Sequence, residues 1–125
     1  MPPKKISLQT AAETQITDVW DPHVVGDVND SQVKVAKFGA VFDWHSHPNE
    51  DEAFFVLSGR IALDFRDGVV EMGPGDFLTV PRGVEHRPRA LTERPIVVMF
   101  EPATTLNTGD ADSDKTVAEL KRLQP

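Results

Sequence analysis

The chain has four histidines, and two of them, His45 and His47, stand two residues apart in a run that reads as β-strand. Side chains on a strand alternate between faces with period two, so both imidazoles point to one side. Pro48-Asn49 then turns the chain, and Glu52 opens the next apolar run, where a carboxylate can return to the same face. Imidazoles and a carboxylate converging on one face suit a divalent transition metal. His86 follows the turn Pro81-Arg82-Gly83 and could deliver a fourth donor from a more distant strand; imidazole is the commonest protein metal ligand. Taken singly, each feature has an ordinary structural explanation: a hydrogen-bonded His pair, a charged Glu50-Asp51-Glu52 turn, a surface His86 among Arg82, Glu85, Arg87 and Arg89. His23 stands apart and reads as a surface or locally hydrogen-bonded residue.

Short strands must position these side chains. Gly and Pro recur through the middle of the chain, at Gly39, Pro48, Gly59, Gly68, Gly73, Pro74, Gly75, Pro81, Gly83, Pro88 and Pro95, with Val-, Phe- and Ile-rich runs between them. That pattern reads as an all-β sandwich or barrel. It predicts strands near 32–38, 41–47, 52–58, 60–66, 69–72, 76–80, 85–91 and 95–100, with Asp67-Gly68 at a hairpin turn. Residues 1–30 are expected to hold edge strands around Ile6 and Val19, joined by loops. In the tail, 103–114 reads as loop. Val117, Leu120 and Leu123 recur at spacing three behind Asp112 or Ser113, which predicts a short C-terminal helix.

Composition narrows the chemistry. The 125 residues suit one domain, expected to run 1–125 with its barrel core at about 32–100. The absence of cysteine excludes disulfides, Cys-based zinc sites, iron–sulfur clusters and thiolate nucleophiles, and the absence of tyrosine removes phenol acid/base chemistry. A net charge of −7 disfavours nucleic acid as a partner. The longest apolar runs, such as Ala53–Leu57, fall far short of the about 20 residues of a membrane helix, so no membrane partner is expected. Met1–Lys5 leads into polar sequence, not into a secretion signal. The expectation is a cytoplasmic protein.

The spacings carry a further resemblance. Gly39-(x5)-His45-x-His47-(x4)-Glu52-(x6)-Gly59, followed by Gly75-(x5)-Pro81-x-Gly83-(x2)-His86, resembles the two motifs of the cupin superfamily at every one of those positions. The short stretch between them, 60–74, is similar to that of small bacterial single-domain cupins. One position departs: where the second motif often ends in Asn, this chain has Ala90, which disfavours germin-type oxalate chemistry. The resemblance implies a jelly-roll barrel, a double-stranded β-helix, with one divalent transition metal (Fe, Mn, Ni, Cu, Co or Zn) in its mouth. It implies His45, His47, Glu52 and His86 as ligands, leaving positions open for substrate. Asp43 shares parity with His45 and is a candidate to hydrogen-bond a ligand imidazole. Phe54 and Val56 share parity with Glu52 and are candidates for the pocket wall, although core packing without ligand contact is the stronger reading for Val56. Arg60 and Arg82 could steer an anionic substrate; Arg87, Arg89 and Trp44 have the opposite parity and belong outside.

Two functions remain open at this level. One is a metal-dependent enzyme acting on a small organic substrate, with dioxygenase-, isomerase- or lyase-type chemistry. The other is a cupin that binds or senses a small molecule without converting it. A cupin-type sugar epimerase and the Tyr-dependent sulfoniopropionate lyases are disfavoured because there is no tyrosine. Small cupins are usually dimers. Phe55, Leu57, Ile61, Leu63 and Phe65 offer an apolar face for a homodimer, unless terminal segments cover it.

Overall fold

The computed structural model describes residues 1–125. It contains one helix, α1 (Leu8–Gln15), and eight strands: β1 (His23–Val28), β2 (Ser31–Lys37), β3 (Glu52–Ser58), β4 (Ile61–Phe65), β5 (Gly68–Met72), β6 (Phe77–Val80), β7 (His86–Ala90) and β8 (Ile96–Pro102). They form two antiparallel sheets, ordered β1-β2-β8-β3-β6 and β5-β4-β7. The all-β architecture expected from the pattern, and the jelly roll that the resemblance implies, are what is observed. No helix is long and apolar enough to cross a membrane.

Alternation builds the interior. Phe54 and Val56 from β3, Val97 and Met99 from β8, Ala36 from β2, and Ile61 and Leu63 from β4 pack with Phe38, Met72 and Val80 in one buried cluster. Burying a side chain of this kind is worth about 1.5–3 kcal/mol, so this cluster holds the two sheets face to face. A second cluster lies on the outer face of the large sheet. There Val35 and Ile96 meet Ala11, Ala12 and Ile16 of the α1 region and Leu123 of the tail, with Leu57 and Val98 packed against them.

That outer cluster corrects three expectations. The dimer face does not exist as read: Ile61 and Leu63 are fully buried inside the barrel, and Leu57 is covered by the terminal segments. Phe55 stays exposed, beside Phe77 and Phe100. The short helix lies at the other end of the chain. Residues 8–15 are helical where edge strands were expected, although Val19 does make one bridge to Lys37. A helix of eight residues is marginal alone. Docking of Ala11 and Ala12 holds it, and the Lys37 Nζ donates to the Ile16 carbonyl at 2.6 Å, just past its C-terminal end. The expected C-terminal helix over 116–123 is absent. Its backbone instead pairs with β1: Val24 N–H bonds to Lys121 O and Leu123 N–H to Val24 O, while Leu123 buries its side chain. These long-range bonds outweigh a weak local pattern. Sequence reading also missed β1 itself, which lies in the expected N-terminal loop.

Residues 41–47 do not form a regular strand, but the segment runs alongside β7. Ala90 N–H bonds to Gly39 O, Phe42 N–H to Pro88 O, and His45 and His86 exchange both backbone bonds at 3.1 and 2.9 Å. This one bridge fixes two of the four donor residues against each other.

Candidate metal centre

His45 and His47 hang from the segment leading into β3, Glu52 is the first residue of β3, and His86 is the first of β7. Gly83 delivers His86: it sits at φ +80°, a backbone region most side chains avoid, and its N–H bonds to His47 O at 2.9 Å. All four donors are buried, and one ligand atom from each lies within 4.8 Å of all the others. Around an ion with bonds of about 2.1 Å, neighbouring ligands stand about 3.0 Å apart and opposite ones about 4.2 Å. The cluster therefore needs only a small contraction to hold a metal. Ring centroids of His45 and His86 are 4.4 Å apart, and those of His45 and His47 are 5.0 Å apart.

The hydrogen bonds aim the rings. His45 Nδ1 lies 2.8 Å from Asp43 O, and His86 Nδ1 lies 2.9 Å from Val84 O. A carbonyl only accepts, so each Nδ1 carries the proton and each Nε2 keeps its lone pair for another partner. No hydrogen-bond partner satisfies His86 Nε2 or either ring nitrogen of His47, although all are buried. Buried polar atoms are normally satisfied, and orphans ask for an explanation; a bound cation at their centre would supply it. Glu52 Oε1 stands 3.3 Å from His47 Nε2 and 3.4 Å from His86 Nε2.

Burial, then the neighbouring His86, push the His45 imidazole down to about 4. It is neutral, as a ligand must be. Burial alone would raise the Glu52 carboxyl, but the neighbouring Glu101, His47 and His86 side chains overcome this and hold it well below the usual range. Glu101 shows the opposite shift: burial and the facing Glu52 push it well up, against the opposing pull of Lys34.

Beside the donors lies a pocket of about 40 Å³. Its wall includes Trp20, Phe38, Phe42, Phe54 and Met99, with His45, Glu52, Glu101 and Asn107 as polar groups. Phe54 thus has the pocket position expected for it. Val56, one turn of the pleat further in, is wholly buried in the core and does not line the pocket. Asp43 contributes through its backbone carbonyl; its carboxylate turns away to Ser113 and to Lys115 Nζ, 3.2 Å distant. No arginine or lysine lines the pocket. Arg82 pairs with Asp51, Arg87 and Arg89 grip Asp64, and Arg66 and Arg87 lie over Trp44 on the outside. The steering role considered for arginine therefore finds no support at the pocket. His23 is buried, not at the surface, and its Nδ1 is engaged locally by Asp21 O at 2.9 Å.

A strap within the segment that the sequence marks as plain loop crosses the donor segment. Asp110 accepts from Ser46 N–H at 2.7 Å and from Ser46 Oγ at 3.0 Å, while its own N–H returns to Ser46 O. Gly109 permits this approach: a Cβ there would overlap the Ser46 carbonyl. Asn107 reaches the pocket from the same strap, both ends of its amide being satisfied by Lys115 O and Val117 N–H. Lys34 and Glu101 were also missed. Both sit on strands whose alternation predicts an inward side chain, but the expected β8 stopped one residue short of Glu101.

A jelly-roll barrel with a His/His/Glu/His cluster inside its mouth defines the cupin class. The cupin-domain family model matches residues 31–101, and the chain belongs to that family. Its similarity to the uncharacterised protein YdbB of Bacillus subtilis (strain 168) is 40% identity over 67 residues, 53% of this chain. The chain spans 59% of that relative's length. Among solved structures, a cupin-2 domain protein from Shewanella frigidimarina is 32% identical with TM-score 0.70, covering 77% of this chain and 99% of its own. Protein NMB1881 from Neisseria meningitidis is 28% identical with TM-score 0.70, covering 80% and 100%.

Proposed function

We propose that the protein is a metal-dependent cupin enzyme acting on a small organic substrate, with His45, His47, Glu52 and His86 holding one divalent transition metal. The orphaned, buried lone pairs of His47 and His86 carry this reading, because they converge with a carboxylate and lack any protein partner. When bound, such an ion supplies Lewis-acid polarisation and, with iron or copper, redox chemistry. The chain's own part is to orient and to exclude water. Asp43 and Val84 carbonyls hold two imidazoles with Nε2 forward. The wall of Trp20, Phe38, Phe42 and Phe54 receives the apolar part of a ligand. The same pocket serves the second reading, binding without conversion, equally well.

Elemental analysis of protein purified without added metal, followed by incubation with small acids, sugars and catechols, separates the two. One equivalent of metal and turnover supports the enzyme; tight binding without product supports the binding protein. His47→Ala, His86→Ala and Glu52→Gln should lose most of the metal. His23→Ala and Asp51→Asn should keep it, since Asp51 points outward to Arg82. Equal metal content in the His23 and His47 variants contradicts the assignment.

A further inference from the structure

The pairing of Ala53 with Phe100 sets Glu52 and Glu101, the preceding and following residues of β3 and β8, side by side on the inner face. Two carboxylates directly opposite one another destabilise a sheet, and here both are buried, Glu101 at 3% exposure. Lys34 on β2 lies diagonally across from Glu101. Its Nζ donates to Glu101 Oε1 at 2.8 Å and to Thr105 O at 3.3 Å, and it is equally buried. The second oxygen, Glu101 Oε2, has no donor nitrogen or hydroxyl beside it. Its neighbour across the β3–β8 pair is the Glu52 carboxyl, and both groups line the same pocket. A buried ion pair of this kind is poor value for stability, since apolar residues of similar volume often do as well or better. Its placement has a different use. It forms a chain, Lys34 to Glu101 to Glu52, that ends on a donor of the cluster and lies along the pocket wall.

We propose that Glu101, anchored by Lys34, is a positioning residue that holds the Glu52 carboxylate in the orientation facing His47 and His86. This rests on the metal centre proposed above. Partners that orient a ligand typically change metal affinity 10- to 100-fold. The test is Zn²⁺ affinity by competition with a chromophoric chelator, together with the visible absorption of the Co²⁺-loaded protein. Glu101→Leu should weaken Zn²⁺ binding by about 10- to 100-fold and alter the Co²⁺ bands. Glu101→Gln keeps an N–H donor toward Glu52 and should restore affinity and spectrum close to those of the unsubstituted protein. Glu101→Leu leaves Lys34 as an unpaired buried charge. The double variant Lys34→Met/Glu101→Leu removes both charges, keeps the experiment decidable if the single variant does not fold, and should show the same loss. Unchanged affinity and an unchanged Co²⁺ spectrum in the leucine variants overturn the proposal, as does a glutamine variant that falls as far as leucine. Glu52→Gln and His47→Ala are run beside them. If these two also bind Zn²⁺ normally, the metal centre itself is wrong; if they lose it while the Glu101 variants do not, only the positioning role fails.

Discussion

The ring of His45 is enclosed by Phe42, His47 and His86, and its pKa falls to about 4 from an ordinary 6.5. A group whose folded pKa is depressed binds its proton more readily in the unfolded chain. For an imidazole the sign is therefore fixed. The contribution of His45 to stability is complete above pH 6.5 and is lost as pH falls through 6.5 towards 4. The full loss is about 3 kcal/mol, since one pKa unit corresponds to about 1.4 kcal/mol. The metal-stripped protein should show it as a falling urea midpoint between pH 7 and pH 4.5. His45→Asn should flatten that segment of the profile, and a variant with the same slope as the parent would exclude His45 as its source. Asp43 and Asp110 contribute only lower down. Ser113 beside Asp43 and the Ser46 N–H on Asp110 hold these carboxyls below the usual range, so their share is lost as pH falls through it.

Elements decide how the donors stay together. The strap after β8 ties Ser46, between His45 and His47, from both its N–H and its C=O. Gly109 stands at φ +55° with no room for a Cβ against the Ser46 carbonyl. Gly109→Ala should therefore lift the strap and cost about 1–2 kcal/mol from the left-handed backbone alone. Hydrogen exchange should report loss of protection at Ser46 and Asp110 while the amides of β3 and β8 remain protected. Faster exchange across the whole barrel would mean that the strap holds up the fold and not only the donor segment. The tail beyond it behaves differently. Leu123 is buried against Ile16 and Val35, so the end of the chain serves the outer face of the sheet in place of the helix that its spacing suggested.

At the scale of the molecule, ten buried apolar residues pack between the sheets, a core large enough to hold them without an ion. The barrel should therefore persist without metal. Binding to the native state alone stabilises it by about 4 kcal/mol at a thousandfold excess over Kd. For a domain of this length, each kcal/mol moves the melting point by roughly 3–5 °C. Circular dichroism should show the stripped protein β-rich and cooperative at 25 °C, melting on the order of 10 °C lower, with recovery when metal is returned. Loss of all β signal on stripping would reveal a structural ion; no shift with any divalent ion would show donor residues that are retained but unused.

The strand-and-turn rhythm and the spacing of His45, His47, Glu52 and His86 were legible in the chain itself, because both depend on local geometry: glycine and proline at turns, and a period of two along a strand. The same alternation pointed Phe54 inward but could not say how deep Val56 would lie, since depth depends on which strand comes opposite. Three features needed the tertiary structure. Lys34 and Glu101 are 67 positions apart and become partners only through the register of β2 on β8. Glu101 meets Glu52 only through the register of β8 on β3. The ends of the chain take their form from the apolar face they cover, so a sequence spaced for a helix at 116–123 is irregular and meets β1 through one bridge at Arg122, and Ala11 and Ala12 fold as the helix instead. Local pattern sets which residues face inward; which of them meet is decided by contacts between segments far apart in the chain.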